Sequence, residues 1–256
     1  MRVALVAGAT RGAGRAIAIE LARAGFFVYA TGRSSRISGP SELGRPETIE
    51  ETGGLIRAAG GAGAASVVDH EDPGRVDALV ADVDGEHGRL DVLVNDIFGG
   101  DRYMQWDKPL WEHDWRGGLR MLQMGVHSHL ITSRAAIPLM LCTATAHGTR
   151  GLVVEMTDGT SQASAEFRRD AGFYYDLVKA NLERIVKGLA RRTGRSSGDR
   201  GRGDAGLAAP GKDAGKLRCH RGHLARGLCQ DPRFRDLRIT YLRRQGRCGA
   251  RRGRRC

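Results

Sequence analysis

Apolar residues along the chain gather in five short runs: Val3–Ala7, Phe26–Thr31, Ala64–Val68, Leu90–Val94 and Leu152–Met156. Glycine, proline or polar residues bound each run, and continuous apolar runs of this length fit strands buried on both faces. Between them the spacing becomes helical. Ala13–Leu21 and Glu47–Ala59 read as amphipathic helices, and Pro73–His87 puts Val76, Leu79, Val80 and Val83 on one face. Gly25 closes the first helix, Ser38–Pro46 is a Pro/Gly/Ser loop, and Gly60–Gly63 breaks the second helix. An aromatic stretch, Phe98–Trp115, precedes a helix expected to reach about Leu141, and Phe173 opens another expected to end near Ala190. Strand and helix alternating in this way predict an α/β fold built on a doubly wound parallel sheet.

The first strand runs through Gly8, Thr10, Arg11, Gly12 and Gly14 straight into a helix. Strand, glycine turn and helix together present backbone N–H groups and a helix N-terminus to a phosphate. Gly8 would permit the tight turn, Gly12 the approach of backbone to a pyrophosphate, and Gly14 close packing of helix on strand. A plain connecting turn is the alternative. After the second strand comes Thr31-Gly32-Arg33-Ser34-Ser35, with no carboxylate to accept hydrogen bonds from an adenosine ribose. Arg33 with Arg11 would instead clamp a 2′-phosphate, which favours NADP(H) and leaves NAD(H) open. The alternative is two solvated surface arginines.

Composition changes this picture only at its far end. The 256 residues suit one domain, and the formal net charge of +12 invites a nucleic-acid reading. Its location argues otherwise: residues 191–256 hold 20 Lys/Arg against 5 Asp/Glu, whereas residues 1–190 hold 21 against 24. The body is mildly acidic. Of the five cysteines only Cys142 lies in it, which argues against a disulfide framework. No apolar run is long enough to span a bilayer and no signal sequence is evident, so a cytoplasmic protein without membrane contact is expected. His127 and His129, two residues apart, point to different helix faces and make a poor metal pair.

The chemistry centres on Tyr175 and Lys179, four apart and so on one helix face. A phenol of pKa about 10 is a weak acid–base group near neutrality, and a neighbouring ammonium would lower it. Tyr174 lacks such a partner, because position 178 is Val.

The Gly8-x-x-x-Gly12-x-Gly14 turn, Asn95 after the fourth strand, and Tyr175-x-x-x-Lys179 together resemble the short-chain dehydrogenase/reductase family over residues 1–190. The resemblance implies a Rossmann-like fold and NAD(P)(H)-dependent reduction of a carbonyl or oxidation of an alcohol on a small molecule. It implies Tyr175 as acid–base residue, with Lys179 setting its pKa and bonding the nicotinamide ribose. Asp69 would meet the adenine edge, or merely cap its strand, and Asn95 would hold the cofactor-side turn through its amide. Three departures stand out. Asn95-Asp96-Ile97-Phe98-Gly99 replaces the family's Asn-Asn-Ala-Gly, and Gly125 falls where an Asn is usual. Thr157-Asp158 replaces two serines, leaving Thr157, Asp158, or the loop residues Ser161 and Ser164 for the third catalytic role. These departures keep open a dinucleotide-binding protein without turnover. A homo-oligomer is also left open. Phe98–Trp115 would line an apolar substrate pocket, form a subunit contact, or simply pack.

The family's sheet is expected to be disrupted after about residue 190. Residues 191–256 are rich in Arg and Gly and offer no strand before Arg235–Leu242, as in a disordered basic arm. Cys219, His220, His223 and Cys229 fit no zinc-finger spacing. The same composition is what GC-rich coding DNA gives out of frame. Back-translation from Arg191, read one base later, permits a strand-like ATVAVA, a Pro-Gly pair and a later amphipathic helix. A frameshift is therefore the favoured account of the tail, ahead of a nucleic-acid-binding arm.

Overall fold

A computed structural model describes residues 1–159, 164–193 and 237–242. The elements, in order, are β1 (Arg2–Ala7), α1 (Gly12–Arg23), β2 (Phe26–Gly32), α2 (Ile49–Ala58), β3 (Ala62–Val67), α3 (Pro73–His87) and β4 (Val92–Asn95). There follow α4 (Trp115–Leu122), a π-helical turn (Gln123–His127), α5 (Ser128–His147), β5 (Gly151–Met156), α6 (Ala165–Ala171), α7 (Phe173–Thr193) and β6 (Leu237–Leu242). The strands lie in the order β3-β2-β1-β4-β5-β6. The first five are parallel, in the Rossmann-like manner expected, and β6 runs antiparallel along β5. That last strand coincides with the candidate within Arg235–Leu242; Ser161 and the tail cysteines lie outside the described residues.

Alternation along the strands divides the core in two. Ala4, Val6, Val28 and Val94 face Ile17, Leu21, Ile49 and Ile56 of α1 and α2. Val3, Leu5, Leu93 and Val153 face Val76, Val83, Leu139 and Met140 of α3 and α5. Each fully buried aliphatic side chain contributes about 1.5–3 kcal/mol by leaving water, so reversing a strand's register would be severely destabilising. From β1 the chain winds outward through β2 to β3, and α3 then carries it back to β4 on the other side of β1; a crevice lies at the carboxyl ends of the strands at this switch point.

Two boundaries differ from the sequence reading for physical reasons. β3 starts at Ala62, within the expected glycine break, because a Cβ at Gly63 would sit 2.4 Å from the Val28 carbonyl oxygen. Gly63 is a strand residue where two backbones approach closely. α5 runs past Leu141 to His147, since its polar end is buried: Thr143 donates to the Leu139 carbonyl at 2.9 Å and accepts from the Leu90 N–H at 2.8 Å. The loop expected before Tyr175 contains α6, a helix of seven residues.

Candidate functional site

Gly8, Thr10, Arg11, Gly12, Arg33 and Asp69 line one open cavity of about 280 Å³ at the carboxyl edge of the sheet. Gly8 has φ of +89°, and a Cβ there would lie 2.1 Å from the Asp96 carbonyl oxygen. A Cβ on Gly14 would lie 2.4 Å from the Gly8 carbonyl oxygen, so the helix is seated directly on the turn. Gly12, with φ of +57°, faces open space. No side chain caps α1 at Arg11 and no acidic residue occupies its first turn. The Gly14 N–H is bonded to Asp96, whose carboxyl burial pushes up to about 6. The turn thus offers uncapped helix N-terminal donors with no acidic residue in the first turn of α1, an arrangement that fits a phosphate.

Asn95 is not at this cavity. It is fully buried, and its amide donates to Ser133 at 3.0 Å and Glu155 at 2.8 Å instead of to the turn, which corrects the expected role. Glu155 also pairs with His129, and the other ring nitrogen of His129 lies 2.9 Å from the Ile97 carbonyl oxygen. This buried network fixes the Asp96–Gly99 wall of the cavity from behind. Asn95 Oδ1 has no hydrogen-bond partner.

The arginines differ from expectation in their partners. Arg11 bonds Glu47 at 3.2 Å and Ser34 at 3.1 Å, and Arg33 bonds Glu71 at 2.8 Å. Neither is a solvated surface cation.

Tyr175 and Lys179 share one face of α7 as expected, and both are buried. They do not line the cavity; Phe98 stands between. Phe98 lines the cavity on one side, while Lys179 Nζ lies 4.3 Å from its ring centroid and the Tyr175 ring 6.0 Å away. The expected lowering of the Tyr175 pKa is reversed in this fold. Burial, then the charge of Asp158, holds the phenol well above its ordinary value. Burial also lowers Lys179, which weakens its pull on the phenol.

Asp158 is held by a residue the sequence reading passed over. Arg168, on α6 and 1% exposed, donates to Asp158 through Nε at 3.0 Å and Nη2 at 2.6 Å, and pairs with Glu183 at 3.3 Å. Thr157 donates to Asp158 at 3.1 Å and also lies 3.4 Å from Arg168 Nη2. Ser164 donates to the Asp158 backbone carbonyl, turned away from the Tyr175 hydroxyl. Of the hydroxyl and carboxyl candidates, Asp158 is the one whose charge bears on the Tyr175 hydroxyl. Arg168 was passed over because α6 itself read as loop.

Packing explains the other departures. A Cβ at Gly125 would lie 2.6 Å from Val178 and 3.2 Å from Phe98, so nothing larger fits the π-turn against α7. Tyr174 packs over Gly118 and lies 5.7 Å from the His113 ring, which commits it to structure. His129 is buried while His127 is exposed, and among the described residues no cluster of His, Cys, Asp or Glu could hold a metal. Among the same residues no helix is long and apolar enough to cross a membrane.

Known proteins share this fold. The family model described as short chain dehydrogenase matches residues 2–196. Mouse dehydrogenase/reductase SDR family member 1 is 38% identical over 100 residues, covering 39% of this chain and 28% of that protein. The 7alpha-hydroxysteroid dehydrogenase of Clostridium sardiniense is 32% identical over 139 residues, covering 54% of this chain and 48% of the other. The chain therefore spans less than half the length of these curated relatives. Among solved structures, the NADH-dependent reductase A1-R′ complexed with NAD superposes with a TM-score of 0.60 at 27% identity, covering 75% of this chain and 72% of that one. The match spans the glycine turn and the five-stranded parallel sheet, and this chain belongs to the short-chain dehydrogenase family.

Proposed function

We propose that the chain binds a nicotinamide dinucleotide on the Gly8–Gly14 turn and interconverts a carbonyl and an alcohol at Tyr175. One observation carries the reading: Phe98 joins the open, phosphate-suited turn to the buried Tyr175/Lys179 pair at a single sheet edge. The dinucleotide, when bound, supplies or takes up hydride. The chain supplies the rest. Gly8, Gly12 and the α1 N-terminus would hold the pyrophosphate, and Asp69 lies on the adenosine side of the same cavity.

Burial and Asp158 keep the Tyr175 hydroxyl protonated at neutral pH, so in reduction it donates its proton to the carbonyl oxygen as the carbon becomes C–H. The charge of Asp158 near the hydroxyl, itself fixed by Arg168, reinforces that protonation. Lys179, its Nζ 5.4 Å from the Tyr175 ring centroid, faces the negative charge left on the phenolate. Phe167, 5.6 Å from Tyr175, and Trp106, 5.5 Å from Phe167, make an apolar wall that favours a hydrophobic substrate. A second reading, dinucleotide binding without turnover, is favoured by Asp158, whose charge opposes the phenolate.

Fluorescence titration with NADH and NADPH, followed by turnover assays over a panel of apolar ketones and aldehydes, tests both. Tyr175→Phe should abolish turnover and leave dinucleotide affinity within about twofold, because only a hydroxyl is lost. Absence of any dinucleotide binding, or turnover surviving Tyr175→Phe, would refute the proposal. Binding without turnover in the parent selects the second reading.

A further inference from the structure

Two loops beside the cavity and helix α4 are tied together by one group of charges. Arg33 follows β2, Glu42 lies in the loop after it, Glu71 precedes α3, and Arg120 projects from α4. Glu71 Oε1 accepts from Arg33 at 2.8 Å and from Arg120 at 2.8 Å, while its other oxygen accepts a second Arg120 N–H. Glu42 accepts from Arg120 through both oxygens, from the Tyr103 hydroxyl at 3.0 Å, and from Arg33 at 3.5 Å. Asp69 adds a third carboxylate 4.0 Å from Arg33. Arg120 holds the Glu42 carboxyl down at about 2, so it stays charged.

Two guanidinium groups therefore face three carboxylates. All four side chains of the central group are between 22% and 31% exposed, sheltered enough to weaken screening by solvent and salt. Arg33 is a guanidinium expected from the sequence to meet a 2′-phosphate, yet its Nη1 is already occupied by carboxylate and its Nη2 lies 3.6 Å from the Met124 sulfur. Arg45 also lines the cavity but is exposed and stands outside the group.

We propose that Glu71 and Glu42 are the specificity-determining residues of the cofactor site, and that by occupying Arg33 they select NAD(H) over NADP(H). A 2′-phosphate entering here would bring a further anion against three carboxylates and would have to displace Glu71 from Arg33. A 2′-hydroxyl would do neither, and Glu71 or Asp69 would accept its hydrogen bond. This inference rests on the dinucleotide reading above and reverses the preference expected from Arg11 and Arg33 as letters in the sequence.

The test compares Kd for NADH and NADPH in the full chain and in Glu71→Gln, Glu42→Gln and Glu71→Gln/Arg33→Ala. The parent should bind NADH more tightly than NADPH by about tenfold or more, since like charges brought together at this distance cost at least that factor. Glu71→Gln should move the NADPH-to-NADH affinity ratio about tenfold toward NADPH, and Glu42→Gln should move it in the same direction. Adding Arg33→Ala should cancel the gain. A parent that prefers NADPH, or a ratio unmoved in both Gln variants while both dinucleotides still bind, overturns the inference. Failure of the parent to bind either dinucleotide overturns the proposed function itself, and this inference with it.

Discussion

His70 makes the stability of this fold depend on pH in a way that can be calculated. The side chain is 3% exposed and bridges the end of β2 to α5, with Nε2 2.8 Å from the Thr31 hydroxyl and Nδ1 2.8 Å from the Thr132 hydroxyl. Thr132 spends its own proton on the Ser128 carbonyl at 2.7 Å, so we assign the His70 proton to Nδ1, donating to Thr132. Thr31 then donates to Nε2 in preference to its 3.3 Å contact with the Val6 carbonyl. A protonated ring would need an acceptor where Thr31 offers a proton.

Burial, reinforced by the nearby charges of His129 and Arg33, lowers the His70 pKa from 6.5 to about 3. With the folded value below the unfolded one, the unfolded chain binds the extra proton first. The contribution is complete above pH 6.5 and is lost as pH falls from 6.5 toward 3. At pH 5 this amounts to about 2 kcal/mol, from roughly 1.4 kcal/mol for each pH unit below the unfolded value.

Urea unfolding at pH 7 and pH 5 measures it. The parent should lose about 2 kcal/mol more between the two than His70→Gln, whose amide can bridge both hydroxyls without titrating. Equal losses in parent and variant would show that His70 is not buried neutral and would refute the assignment.

Asp158→Asn should lower the Tyr175 pKa, because the carboxylate charge is, after burial, the next cause that holds it up. NMR of ring-labelled tyrosine, with Tyr175→Phe for assignment, would show it; an unchanged titration would leave burial as the sole cause. The tail can be examined in the encoding DNA: early stop codons in the shifted frame from codon 191, or no Pro-Gly codon pair near 205–206, would end the frameshift account. If that account holds, restoring the frame should raise thermal stability and activity together.

Much of the fold was legible because it is written in local patterns. Apolar runs such as Val3–Ala7 and Leu152–Met156 cannot be anything but buried, and their alternation with helices implies a parallel sheet. The glycine turn and the four-residue step from Tyr175 to Lys179 were equally readable, because backbone geometry alone sets what those spacings present. What the sequence could not reveal is which charges meet. Arg33 looks like a phosphate ligand until Glu71, 38 residues away, is folded against it. Tyr175 looks like an activated phenol until Arg168 and α6 set an aspartate against its hydroxyl. Asn95 looks like part of the turn until Glu155 and Ser133 draw its amide inward. Electrostatic energies fall with distance in space and rise with burial, and neither quantity exists along a linear chain. Apolar periodicity determined the scaffold; tertiary packing decided which charged groups of its site are paired.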